Sequence, residues 1–550
     1  MRRTIWLVIG AALVATALLT AAPTGIARQS AATPKTGGTI VFGAEQEPEC
    51  WNALLADCAL FWGTLLTQPM LQSAFQIFPD YSLRPQLVSS ATVTKNPFTI
   101  TFNIRPQAKW SDNVPVSAND FIFTWKTFVN PANNVSSREG YDKIRSAKKL
   151  SAKKVRFTFK DAYAPWQYLW QPVFPAHVLQ GQDFNKVWNQ GIVNPKTGKG
   201  ISNGPYLWSS WQQGAQLTLV RNPNYWGWSP SGKSHKGYLD RLVMRFITNT
   251  NSEIQAMKSG EVDMIYPQPQ LALADLKSQS GLKIQSNPGA LFEGLTWNLD
   301  KAKGGPLMRS PQVRQALQYA IDRQALVKQL FGTLKPDLTP LQSNMYVQTQ
   351  KDYKPLFSRY KLNLSKVNQL MQKVGCQKGS DGIWVCQGQR LSYNFGTTAG
   401  NQLRELAFEI MQAQAKRAGF EFKAAFQPAG TFFSADGVFG GNFQIAQYAD
   451  VGTGDPGAFT ASFKCGGEAN YGKYCSNKVT QALLAGDKEL DPAKRAADVN
   501  RAVALMSINT PRFPLYQKPT FLVYKTKVLG LIDNGSVAGP TWNVMEWSLS

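Results

Sequence analysis

Histidine is almost absent from this chain: of 550 residues only His177 and His235 are histidine, and both lie far from any cysteine. Zinc and other borderline metals want imidazole or thiolates at CxxC-type spacing, so no metal site and no free-metal receptor is expected. HExxH is missing too, which removes the usual signature of a metalloprotease. A Ser/His/Asp triad is not excluded by motif, but only two histidines could serve it, so an exported hydrolase is the weakest reading and no catalytic residue is assigned. Acidic residues are scarce: 35 Asp and Glu stand against 59 Lys and Arg, a formal charge of +24. The cations are dispersed, and no nucleic-acid recognition motif accompanies them, so nucleic acid is not expected as a partner. Retention beside an anionic cell envelope, or attraction of acidic ligands, explains such a charge as well. Beyond the N-terminus there is no long apolar run, no internal repeat and no low-complexity segment.

What is present begins with an export signal. Arg2 and Arg3 precede a nearly unbroken apolar stretch from Ile5 to Ala22, and Gly25-Ile26-Ala27 offers a small-x-small cleavage site. Residues 1–27 are therefore expected to be a signal peptide cut after Ala27 or Ala22, with a retained membrane anchor as the alternative. Residues 28–38 read as a flexible leader. No cysteine precedes Cys50, so an N-terminal lipoprotein is not expected. The six cysteines fall into three close pairs, Cys50/Cys58, Cys376/Cys386 and Cys465/Cys475. Loops of that size are what local disulfides close, which fits an exported, periplasmic or envelope-associated protein. The 16 Trp, 18 Tyr and 30 Phe suit a core, and they also suit a binder that needs broad, stiff contact surfaces.

Strands and helices alternate along the chain. Alternating apolar residues predict strands at Thr39–Phe42, Phe98–Ile104, Val155–Phe159 and Gln216–Val220. Ser117 with Asp120 opens a helix over Ser117–Asn130, and Ser310 with Pro311 opens one over Pro311–Phe331, in which Arg314 and Asp322 are expected as ion-pair or cap partners. Further helices are predicted over Asn401–Arg417, stopping at Gly419, and over Asp491–Ser507. An α/β architecture with several sheets follows.

Five ordered blocks carry a resemblance. They are GGTIVFGAEQEPECWN at 37–52, the segment 84–125 containing KWSDNVPVSANDFIFTW, NGPYLWSSWQQGAQLTLVRNPNYWG at 203–227, VRQALQYAIDRQALV at 313–327, and DPAKRAADVNRAVALMSINTPRFPLYQ at 491–517. Together they resemble the peptide/nickel-type solute-binding proteins of ABC importers, family 5, over roughly residues 36 to 525. The resemblance implies an α/β, periplasmic-binding-protein-like fold in its large three-domain variant, with two lobes joined by a hinge. It further implies a first-lobe core domain at 39–68 plus 202–290 plus 512–550, an extra domain at 69–201, and a second lobe at 291–511. The implied function is a monomeric receptor that needs no cofactor, binds a peptide or peptide-like solute between the lobes and hands it to membrane permease subunits. An oligosaccharide receptor of the same family and a chemosensory receptor are the alternatives.

Site residues come from the same resemblance. Asp450, in the Gly-rich segment QYADVGTGDPGAF at 447–459, matches the carboxylate that pairs with a peptide's α-ammonium; a turn-capping role is the alternative. Tyr448, Gln447, Trp297, Asn298, Phe61 and Trp62 are expected as cleft walls. Gln447 stands where the family often has Trp. Thr398 stands nearest the position where dipeptide receptors carry an Arg for the peptide carboxylate, which argues against a dedicated dipeptide clamp. Asp455-Pro456 is expected to shape the loop, and GTGDPG at 452–457 lacks the βαβ context of a nucleotide site.

Overall fold

Three larger sheets organise residues 34–550, which, apart from Thr453, are those described by this computed structural model. The expected signal peptide and the first part of the leader lie outside the described residues. No helix among the described residues is long and apolar enough to cross a membrane.

The first sheet has seven strands, in the order Leu282–Gln285, Leu522–Lys525, Met264–Ile265, Thr39–Ala44, Arg241–Phe246, Gln216–Arg221 and Tyr206–Gln212. Thr39–Ala44 lies inside it, parallel to both neighbours. Its alternate residues Ile40, Phe42 and Ala44 are fully buried, and the Phe42 ring sits 5.3 Å from that of Trp62. The apolar alternation read from the sequence is thus the inward face of a central strand.

The second sheet comprises β1 (Val88–Lys95), β2 (Phe98–Ile104), β3 (Ile144–Ser151) and β4 (Lys154–Phe159), ordered β1-β2-β4-β3 and antiparallel throughout. Helix α1 (Ala118–Val129) covers one face. Ser117 and Asp120 form the capping box that starts it. Phe102 of β2 meets Phe121 of α1 at 5.6 Å and Trp170 at 4.9 Å. The opposite face is polar.

Helices α2 (Pro311–Ala320) and α3 (Arg323–Phe331) replace the single helix expected over 311–331. Ile321 adopts an extended backbone, and the Asp322 carboxylate accepts the Ala325 N–H, so Asp322 starts a new helix instead of continuing the old one. Arg314 makes no ion pair with it. Its guanidinium donates to the carbonyls of Met308, Asn509 and Thr510. Helices α4 (Gln402–Ala418) and α5 (Pro492–Asn509) follow the expected signals. Asn401 and Asp491 accept the first-turn N–H groups, and α4 ends at Gly419 with φ +94°, a left-handed conformation suited to glycine.

These helices pack around the third sheet, made of β5 (Pro288–Trp297), β6 (Ser392–Gly396), β7 (Glu421–Ala424), β8 (Ile445–Val451) and β9 (Arg512–Pro519), ordered β7-β6-β8-β5-β9. Residues 512–519, assigned from sequence with 39–68, instead pair with β5 in this sheet. The chain passes between the first and third sheets twice, and the two passages are bonded to each other. Gln285 pairs with Leu522 and Pro288 with Pro519, and between them the Thr520 N–H donates to the Asn287 carbonyl at 2.8 Å.

The three close cysteine pairs are disulfide-bonded as their spacing led one to expect: Cys50 to Cys58, Cys376 to Cys386 and Cys465 to Cys475. Cys58 is buried at the end of the short turn Ala56–Cys58, directly before the helical segment that carries Phe61 and Trp62. Cys376 and Cys386 face each other across a hairpin. Cys475 is exposed and closes the loop that leads into the helix Asn477–Lys488.

Candidate functional site

The alternation of β8 divides the expected site residues between two faces. Tyr448 and Asp450 project to one side with Thr296 and Phe292 of β5; Gln447 projects to the other with Leu295, Glu293 and Trp297. The structure therefore brings Asp450 and Tyr448 together and separates them from Gln447 and Trp297.

On the first face, Asp450 lies 3.0 Å from the guanidinium of Arg512 on β9. Arg512 itself is buried, donates to Thr296 Oγ1 at 2.6 Å and to the Tyr448 carbonyl at 2.7 Å, and stacks 4.3 Å from the Tyr448 ring centre. Its terminal nitrogens are thus held by neutral acceptors, and only its inner edge addresses the carboxylate. Burial pushes the Asp450 carboxyl above its ordinary range, with Arg512 pulling it back and the charge of Glu293 adding to the rise. Asp450, Tyr448, Thr296, Tyr471, Asn470 and Arg512 enclose a cavity of about 20 Å³, room for one water-sized group.

The second face carries a polar chain between the sheets. Glu293, fully buried, receives Arg404 of α4 at 3.0 Å and Lys518 of β9 at 3.4 Å. Lys518 also donates to Gln268, which holds the Glu45 carboxylate through its backbone N–H at 2.7 Å and its side chain at 3.0 Å. Burial alone would raise the Glu293 carboxyl; Arg404 and Lys518 together outweigh it and hold the group below its ordinary range. Thr398 accepts from Arg404 at 2.9 Å, so an arginine does stand beside the position singled out for its absence, one turn into the helix and bound to Glu293.

The remaining expected residues are placed differently. Trp297 is fully buried in the core of the third sheet, and the Asn298 amide donates to the carbonyls of Gly441 and Phe443. Trp62 is buried against Phe42, whereas Phe61 beside it is half-buried. Neither amide atom of Gln447 has a hydrogen-bond partner among the described residues, although the side chain is fully buried. Asp455 accepts the Gly457 N–H at 2.7 Å and pairs with Arg495 at 2.5 Å, which gives the loop its shape. The disulfides brace loops and do not line the site: neither Cys50 and Cys58, nor Cys376 and Cys386, nor Cys465 and Cys475 border the cavity at Asp450. The pair Cys465–Cys475 does close the loop that supplies Asn470 and Tyr471 to that cavity, so it supports the wall from behind.

Beyond the Asp455 loop a cavity of about 440 Å³ lies between the tip of the hairpin at Phe75–Pro85 and the third-sheet region. Tyr81 enters it from the hairpin with φ +62°, a strained backbone for a tyrosine; Tyr346, Gly454, Asp455 and Arg495 form the other wall. Contacts also join residues 138–161 to the third-sheet region: Glu139 with Lys464, the Arg138 N–H with Glu468 at 3.1 Å, and Lys488 with Asp161 at 2.9 Å. Sequence reasoning missed Arg512, Glu293, Arg404 and Lys518. Arg512 does lie in the closing block PRFPLYQ, and its charge amid apolar neighbours was the available signal.

Comparison with known proteins agrees with this architecture. The sequence pattern of the bacterial extracellular solute-binding proteins, family 5, matches residues 82–471. Protein XP55 of Streptomyces lividans is 28% identical over 475 residues, covering 84% of this chain and 81% of that protein. The oligopeptide-binding protein OppA of Mycobacterium tuberculosis is 26% identical over 505 residues, covering 90% and 82%. Among solved structures, the periplasmic EDTA-binding protein EppA superposes with a TM-score of 0.84 at 26% identity, over 94% of this chain and 98% of that one. A mixed α/β chain of several sheets, carrying the family pattern over most of its length, thus belongs to the family 5 bacterial extracellular solute-binding proteins.

Proposed function

We propose that this protein captures a peptide or peptide-like solute between its first-sheet and third-sheet lobes and delivers it to the membrane subunits of an ABC importer. The lobes are taken as 39–68, 202–290 and 520–550 with the extra domain 69–201, and as 291–519. The paired passages at Gln285–Pro288 and Pro519–Leu522 serve as the hinge. One observation carries the peptide reading. A carboxylate, Asp450, whose one ion-pair partner among the described residues is the edge of a guanidinium, opens into a cavity of ammonium size walled by Tyr448 and Tyr471. An ammonium there would gain a charge-assisted bond and contact with aromatic faces. The larger cavity beside Tyr81 and Tyr346 falls within the usual volume of a ligand site and would take the remainder of the solute. Closure follows because such a ligand touches both lobes. The receptor is read as monomeric, non-catalytic, without nucleic-acid affinity and without an N-terminal lipid.

Native mass spectrometry of protein purified without refolding tests this. A ladder of short peptide masses supports it, whereas a saccharide mass overturns it in favour of the sugar reading. A second reading, a carboxylate-rich solute, is favoured by Arg512 lining the same small cavity. It predicts a polyanion as the co-purifying mass and tight binding of EDTA, the ligand named for EppA.

A further inference from the structure

The outer face of the four-stranded sheet has no part in that cleft, and its composition is one-sided. Neither 88–104 nor 144–160 contains a single acidic residue. Cross-strand registers show what this face presents: one row runs Thr92, Thr101, Arg156, Lys148, and the next runs Ser90, Asn103, Lys154, Ser151. Small hydroxyl side chains make it flat, and the three cations stand up from it, with exposed Arg145 alongside at a bulge of the edge strand. Arg156 and Lys148 are direct cross-strand neighbours, an arrangement of like charges that costs stability. Among the described residues none of these four cations forms an ion pair. The Arg156 Nε donates only to a threonine hydroxyl, Thr101 Oγ1 at 3.2 Å. A solvated basic face is ordinarily relieved by interspersed acids, and here there are none.

We propose that this sheet face is a docking surface for an anionic phospholipid bilayer. Charge complementarity selects the sign of the partner, and two further features select a bilayer over a soluble polyanion. The face is planar and two-dimensional, matching a headgroup plane, whereas a strand-like polymer is better held in a groove. Leu150, at the bulge between Lys149 and Ser151 on the edge strand β3, adds an exposed apolar side chain beside the cations, which suits the boundary between headgroups and acyl chains. The surface lies on the extra domain and is independent of the ligand cleft, so receptor function and docking can fail separately.

The test uses the chain from Arg28 onward, because residues 34–550 pack as one compact unit and the apolar N-terminal stretch would itself enter lipid. Binding is measured by co-sedimentation with vesicles of about one-third phosphatidylglycerol in phosphatidylcholine, and with pure phosphatidylcholine vesicles. Expected is binding to the anionic vesicles alone, lost between about 50 mM and about 500 mM salt. The triple variant Lys148→Gln, Lys154→Gln, Arg156→Gln should bind roughly 100-fold more weakly. A control with the same charge change at exposed positions elsewhere, Lys301→Gln, Lys361→Gln, Lys366→Gln, should stay within about threefold of the parent. Equal weakening by both triples would mean that net charge alone acts, and an unaffected sheet triple would place the contact elsewhere. Sheet-dependent binding of soluble polyphosphate without vesicle binding would replace the bilayer as partner; each of these outcomes overturns the proposal. Should the sheet triple not fold, deuterium exchange on the parent decides. Protection of 144–159 on adding anionic vesicles is expected, and unchanged exchange there rejects docking.

Discussion

Replacing Asp450 by Asn, combined with acetylation of a peptide's amino terminus, isolates the contact on which the peptide reading depends. Asn keeps the shape of Asp and removes the charge; acetylation removes the positive charge of the ligand. A charge-assisted hydrogen bond contributes about 1.5–3 kcal/mol. Arg512 at 3.0 Å already offsets part of the carboxylate's field, which puts the expectation at the lower end, about 1.5 kcal/mol or roughly tenfold in Kd. Arg512 is not orphaned by the change, since it retains Thr296 at 2.6 Å and the Tyr448 carbonyl at 2.7 Å, so folding should lose only about 1–3 kcal/mol. Isothermal titration of tetra-alanine and its N-acetyl form against both proteins gives the coupling energy directly. The pH dependence adds a second readout. Burial has raised the Asp450 carboxyl and a bound ammonium would lower it again, so affinity should fall with decreasing pH, starting above the ordinary carboxylate range. Asp450→Asn should be flat over the same interval. A coupling below about 0.5 kcal/mol, or equal affinity for the acetylated peptide, would refute the reasoning.

Three other outcomes are expected. Burial, and after it the charge of Asp455, raise Asp487 to about 7, so its contribution is intact below the unfolded carboxylate value and is lost as pH rises towards 7. Asp487→Asn should therefore stabilise the protein by roughly 2–4 kcal/mol at pH 8 and leave it unchanged near pH 4, as read by denaturant melts; the opposite ordering contradicts the assignment. Glu293, held low by Arg404 and Lys518, contributes stability that is present above the unfolded carboxylate value and lost as pH falls through its own. Glu293→Gln leaves two buried cations without their carboxylate and should cost about 3–5 kcal/mol at neutral pH in the same assay. Removing the Cys376–Cys386 disulfide by a double serine substitution should lower stability by about 2–3 kcal/mol, and a reducing agent should have no further effect at that hairpin.

Local chemistry was readable where a residue acts on its own neighbours. Ser117 with Asp120, Asn401, Asp491 and Gly419 each start or stop a helix where the sequence said, because capping depends on a few adjacent backbone groups. The disulfides were readable for the same reason, each joining cysteines that are near in the chain. The break at Ile321-Asp322 was missed because apolar spacing continues across it, and a cap Asp inside such a run looks like an ordinary polar position. Asp450 stood out through its loop and its resemblance. Its partner Arg512 lies in a different block of the sequence, and the register of β8, β5 and β9 alone brings the two together. The same holds for Glu293, Arg404 and Lys518. Trp297 and Gln447 were grouped with Asp450 as walls of one cleft, but strand alternation turns them to the opposite face.

The position of Leu522–Lys525 has a consequence for how the chain matures. This strand, near the C-terminus, inserts between Leu282–Gln285 and Met264–Ile265 in the seven-stranded sheet. The third sheet, by contrast, is assembled from one uninterrupted stretch of polypeptide between Pro288 and Pro519. During synthesis the latter can therefore close early, while the former cannot join its edge strand Leu282–Gln285 to the rest until almost the last residues arrive.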